Sequence, residues 1–102
     1  LMFNAPVGVF AYIDRTLSYG QWMDLGMYLQ SFILLCEGHG LATCAQGYWT
    51  FFHETVRQTT GAPDDLTLAC GIAIGFEDQD APINQVRSAR APVEDFAVFI
   101  DR

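Results

Sequence analysis

The stretch WMDLGMYLQSFILLC, Trp22 to Cys36, limits more than any other how this chain can fold. Trp22, Leu25, Leu29, Phe32 and Leu35 or Cys36 recur at steps of three and four, the period of one helix face. Met23, Met27, Tyr28, Ile33 and Leu34 occupy the other faces, so the predicted helix is apolar almost all the way round. A helix of that kind is either central in its domain or covered by a second subunit, since a lone surface helix keeps one face polar. We favour coverage by a partner chain. The run contains Gln30 and Ser31 and is too short to span a bilayer, so no membrane segment is expected.

The flanking segments set the element order. APVGVFAYID, Ala5 to Asp14, has the Val, Phe, Tyr and Ile of a buried strand, and Gly8 within it suggests close packing. Arg15 to Gln21 is a polar turn. Gly38 and Gly40 are expected to end the long helix, with His39 as a capping residue, because glycine takes left-handed backbone angles without a Cβ penalty. Beyond the Gln46-Gly47 stretch, Trp49, Phe52 and Val56 predict a second helix over Tyr48 to Thr60, stopped at Gly61-Ala62-Pro63. His53 on that helix has no His or Cys partner at ligand spacing, so no metal site is expected. LTLACGIAIG, Leu66 to Gly75, lacks the polarity of an exposed strand and is predicted to be central. FEDQDAPINQVRSAR is an acidic surface loop with a basic end at Arg87 and Arg90, where Asn84 shapes the turn beside Pro82. APVEDFAVFI fits either a short helix or an arm lying on another subunit. The order strand, long buried helix, loop, helix, strand, arginine loop, tail is an α+β pattern in a single domain of 102 residues.

A chain of this length buries roughly two-thirds of its unfolded surface, and 51% apolar residues with 14% aromatics supply a core. Twelve carboxylates stand against five bases, all of them arginine. That balance argues against a nucleic-acid partner, and the absence of lysine removes Schiff-base and P-loop chemistry. Cys36, Cys44 and Cys70 have no CxxC spacing and sit among apolar or small neighbours, so they are expected to be free, partly buried thiols of a reducing, cytoplasmic compartment. The abrupt opening Leu1-Met2-Phe3-Asn4 suggests a fragment of a longer protein.

Taken in order, WMDLGMYLQSFILLCEGHGLATCAQGYW and GIAIGFEDQDAPINQVRSARAPVEDF resemble the C-terminal half of the flavin-dependent nitroreductase family, in the branch similar to nitrobenzoate reductases. The specific pieces are the apolar helix followed by Gly-Leu-x-Thr, and the Gly-x-Ala-x-Gly strand followed by Ala-Pro-x-Asn and spaced arginines. The resemblance runs from about Ala5 to Phe99. It implies the nitroreductase fold, here as the C-terminal portion of one domain, and a homodimer with two FMN sites at the subunit interface, the long helix lying in that interface. It also implies an N-terminal half, rich in arginine and serine, that grips the flavin and is not among these residues.

The same resemblance implies an FMN-dependent NAD(P)H oxidoreductase working by a ping-pong mechanism: NAD(P)H reduces FMN and leaves, and a nitroaromatic or quinone acceptor then takes the electrons. A backbone N–H near flavin N5 favours the reduced ring, and by resemblance that donor lies in Ala45-Gln46-Gly47. Cys44, Ala45 and Gln46 would line the flavin, and Gly47 would let backbone approach it. Without the resemblance the segment reads as an ordinary loop between two helices, where glycine only satisfies a turn. Arg87 and Arg90 are the candidate phosphate ligands, because guanidinium binds phosphate through two parallel donors and keeps its charge. Arg90 matches best, while Arg87 has the alternative of pairing with Asp78 or Asp80. Tyr48, Trp49, Phe51 and Phe52 are either core or walls of an acceptor pocket. No catalytic side chain is implied, consistent with the lack of a Ser-His-Asp or paired-carboxylate arrangement. Two other readings are a flavin-holding protein without turnover and a truncated chain acting only as a dimerisation scaffold.

Overall fold

The computed structural model describes residues 2–101. Its elements are β1 (Val7–Asp14), α1 (Tyr19–Gly38), β2 (Ala42–Gln46), a 3-10 segment (Gly47–Phe52) running into α2 (His53–Thr60), β3 (Leu66–Gly75), and two single 3-10 turns at Pro82–Gln85 and Val93–Asp95. The strands form one antiparallel sheet in the order β1-β3-β2. The architecture is α+β, as expected, and β3 is the central strand that its composition predicts.

β3 supplies most of the core. Leu68, Ile72, Ala73 and Ile74 are buried, Ile72 completely, and Ile13 of β1 and Val56 of α2 join them. An apolar strand of this kind is stable only between two neighbours, which satisfy its backbone on both edges. β1 is an edge strand and not the buried strand expected: Val7 and Val9 are exposed and only Ile13 is buried. Gly8 does lie against a neighbour, since a Cβ there would stand 3.0 Å from Met2 Cε.

β2 lies where the sequence predicts a loop. ATCAQ has little strand propensity of its own, but pairing with β3 from Ala42 opposite Gly75 to Gln46 opposite Gly71 imposes the extended form. The helix predicted over Tyr48 to Thr60 divides into a 3-10 segment and a shorter α-helix at His53. With three residues per turn, the 3-10 stretch brings Trp49 and Phe52 to the same side.

α1 starts at Tyr19, three residues before the expected Trp22. Ser18 and Gln21 stand at capping-box spacing, and the Gln21 Oε1 accepts the Ser18 backbone N–H at 3.2 Å. At the other end Gly38 is still helical. His39 is the cap residue, and Gly40 alone takes the left-handed conformation, φ 73°, letting the Leu41 N–H reach the Cys36 carbonyl at 2.9 Å. Only Cys36 of this helix is buried. The long buried helix expected from its composition is therefore an outlying helix in the single chain, anchored at its C-terminal end. Within these residues it is not a central helix. Met23, Met27, Tyr28, Leu34 and Leu35 are all more than 60% exposed.

The three thiols are free, with Cys36 buried, Cys70 partly buried and Cys44, against expectation, exposed on the outer strand. Burial pushes the Cys70 thiol above the ordinary cysteine value. The tail makes one short 3-10 turn at Val93–Asp95 and continues without regular structure, with Val98, Phe99 and Ile100 exposed. A self-contained globule of 11.4 kDa exposes about 5,800 Å², whereas this chain exposes 8192 Å². Its radius of gyration, 16.8 Å, likewise exceeds the roughly 13 Å typical of 100 compact residues.

Candidate functional site

The segment Cys44-Ala45-Gln46-Gly47 forms the end of β2 and the corner where the chain turns into the 3-10 segment. Gln46 is still extended, φ −130° and ψ 95°. Cys44 and Ala45 are exposed and Gln46 is half-buried. Gly47 has no positive φ, and a Cβ built on it would meet nothing within 4 Å. Neither backbone conformation nor packing within the described residues therefore calls for glycine at this corner. What the missing side chain leaves is unobstructed access to the backbone from outside.

Gly71, level with Gln46 on β3, has the opposite surroundings. A Cβ there would lie 2.5 Å from Trp49 Cδ1, closer than any real contact. The Trp49 indole N–H donates to Gln46 Oε1 at 2.8 Å, and the Phe10 ring meets the indole edge-on with centroids 5.4 Å apart. Behind this cluster is a largely apolar hollow of about 370 Å³ lined by Phe10, Gln46, Tyr48, Trp49, Phe52 and Val56 among others. Three of the four aromatics expected either as core or as pocket wall thus border a hollow, while Phe51 is 79% exposed.

The arginine loop starts from the other end of the sheet. It leaves β3 at Gly75, which is level with Ala42 at the start of β2, so its root is at the other end of that strand from Gln46. Asn84 donates its side-chain N–H to the Asp78 carbonyl at 2.9 Å and shapes the turn as expected. Arg87 donates to the carbonyls of Asn84 and Val86, at 2.8 and 3.2 Å, and makes no ion pair with Asp78 or Asp80. Arg90 donates to the carbonyls of Ser88 and Ala89 and to the Ser88 hydroxyl. Among the described residues neither guanidinium has a carboxylate within ion-pair distance. The sequence-predicted residues thus fall on two elements, the β2 corner and the arginine loop, and neither arginine lines the hollow beside Gln46.

A second cleft, about 510 Å³, was not foreseen. Tyr12, Arg15, His53, Glu54, Arg57 and Asp64 contribute to its lining. Arg57 pairs with both Glu54 and Asp64, and its hydrogen bond holds the Glu54 carboxyl below the usual carboxylate range. These charges neutralise one another, so the cleft has no strong preference for an ion of either sign. No group of three or more His, Cys, Asp or Glu among the described residues has the arrangement of a metal site, and no helix among them is long and apolar enough to cross a membrane.

The support around Gln46 was partly visible in advance. A glycine in the interior of a strand signals close approach by another group, and Trp49 stands three residues after Gln46, but only the register places Gly71 beside both.

The chain is 35% identical over 98 residues to chloronitrobenzene nitroreductase of Comamonas testosteroni, covering 96% of this chain and 43% of that one. It is 36% identical over 98 residues to 4-nitrobenzoate reductase of Nocardioides sp. (strain LMS-CY), covering 96% of this chain and 40% of that protein. The crystal structure of the FMN and NADPH-dependent nitroreductase NfnB from Sphigopyxis sp. strain HMH superposes with a TM-score of 0.94 and 39% identity, over 98% of this chain and 45% of that chain. The chain thus spans less than half the length of these three relatives. The Nitroreductase family profile covers residues 1–76, and with these likenesses over nearly its whole length the chain belongs to the nitroreductase family.

Proposed function

We propose that this chain is the C-terminal portion of an FMN-dependent nitroreductase, with its Cys44 to Gly47 corner at the flavin ring and its arginine loop at the flavin phosphate. The observation that carries the reading is the corner at Gly47, whose bare backbone is required by nothing inside the described chain. A planar ring laid against such a corner makes close backbone contact that any side chain would block. Bound FMN would supply two-electron transfer between NAD(P)H and a nitroaromatic or quinone acceptor, in alternating half-reactions. The chain's own part is to bind, orient and exclude water. Ala45, Gln46 and Gly47 offer backbone N–H groups to the ring edge, and Arg90, with Arg87 beside it, offers a planar pair of donors to phosphate. The apolar hollow behind Gln46 and Trp49 suits an aromatic acceptor.

The exposed apolar faces of α1 and of the tail support a second copy of the chain as the partner that completes the site.

A visible-absorbance titration of the purified chain with FMN tests the reading. The expected result is a perturbed flavin spectrum that saturates, with Arg90→Gln weakening binding about ten-fold, the size of one charge-assisted bond. Oxidation of NAD(P)H by the loaded protein separates turnover from mere flavin holding. A spectrum that stays that of free FMN at high protein concentration removes flavin binding from this chain.

A further inference from the structure

We infer that Trp49 is a positioning residue that holds the Gln46 side chain at the flavin edge, and that Gly71 is the seat that lets it do so; this rests on the flavin reading above. Phe10 of β1, Gly71 of β3 and Gln46 of β2 stand level in one row across the sheet. Directly opposed residues in antiparallel strands share a face, so the glycine in the middle of the row leaves a trough between two side chains. The Trp49 indole lies in that trough. Its Cδ1 and Nε1 would be 2.5 and 3.0 Å from a Cβ on Gly71, its edge meets Phe10 at 88°, and its Nε1 is 2.8 Å from Gln46 Oε1.

Three sides of the indole are therefore fixed, and the fixed ring fixes the amide. An indole N–H is a donor only, so it takes the oxygen end of Gln46 and turns the donating Nε2 end away from itself. A glutamine side chain otherwise loses a large rotamer freedom when it is ordered. Prior ordering by Trp49 removes that loss from flavin binding and sets which end of the amide faces the ring. Phe10 acts on the Gln46 side chain through the indole, and Gly71, which also pairs with Gln46 across the sheet, gives the indole its seat.

Trp49→Phe retains a ring in the trough and deletes the N–H. It is expected to weaken FMN binding about five-fold, the worth of one neutral hydrogen bond, and to alter the spectrum of the bound flavin. Gly71→Ala is expected to shift both in the same direction, because its methyl evicts the indole. In a Gln46→Ala background Trp49→Phe is expected to cause no further loss, and in the flavin-free chain the Trp49 indole proton exchanges faster once Gln46 is removed. Wild-type affinity and spectrum in Trp49→Phe would overturn the inference. So would a loss that persists undiminished in the Gln46→Ala background, which is the behaviour of a core filler. A wild-type chain that leaves the FMN spectrum unperturbed overturns the flavin reading itself, and is told apart because no variant is involved.

Discussion

Two glycines of this chain illustrate how much a single residue type can conceal. Gly71 has no side chain because Trp49 occupies the place where one would be, and Gly47 has none although the space beside it is empty. Gly47 was legible as a candidate from its place in Ala-Gln-Gly-Tyr-Trp and from resemblance. The reason for Gly71 was not, because it depends on register with residues some 20 and 60 positions away in the chain. Asp14 is a third case, with a local cause. Its Oδ1 accepts both the Thr16 hydroxyl, at 2.6 Å, and the Thr16 backbone N–H, at 2.8 Å. The hydroxyl bond chiefly, then the backbone bond, holds this exposed carboxyl below its ordinary value. A depressed folded pKa stabilises fully above the unfolded value, near about pH 3.9, and that contribution is lost as pH falls through the folded pKa. Thr16→Val is thus expected to raise the Asp14 pKa in an NMR titration, and to narrow the stability gap to wild type only below about pH 4.

At the scale of elements, periodicity located α1 and the apolar run located β3, but the short pieces between them were decided by neighbours. β2 is a strand because β3 offers it an edge, and the Tyr48 to Thr60 helix divides at His53 into a 3-10 stretch and a shorter α-helix. Ile72, fully buried at the centre of β3, holds the layers together. Ile72→Ala is expected to destabilise by about 3 kcal/mol, from lost burial and the cavity left behind, read as a lowered urea midpoint. Gly61 ends α2 at φ 71°, with its N–H on the Arg57 carbonyl at 2.9 Å. An L-residue pays for that left-handed angle, so Gly61→Ala is expected to lose about 1 kcal/mol in the same assay, with no change in FMN affinity.

The chain exposes 8192 Å², more than a self-contained globule of its mass. Met23, Met27 and Leu34 lie on one stripe of α1, Tyr28 and Leu35 on another, and all five are exposed. Apolar area of this extent marks an association surface, and the partner proposed for it is a second copy. Light scattering is expected to give twice 11.4 kDa for the wild-type chain. Met27→Glu with Leu34→Glu, two charges on one stripe, is expected to shift it to the monomer while helix content by circular dichroism is retained. A wild-type chain that scatters as a monomer across the micromolar range would mean that some other segment or partner covers α1.

Composition and local pattern sufficed for the α+β class, for the place and all-round apolarity of the long helix, for the central strand and for the arginine loop, since each depends on residues within a few positions of one another. The nature of β2, the exposure of β1 and Cys44 and the seating of Trp49 over Gly71 required the folded chain. Those features arise from contacts between residues remote in sequence, and spacing along the chain does not encode which remote residues become level across a sheet.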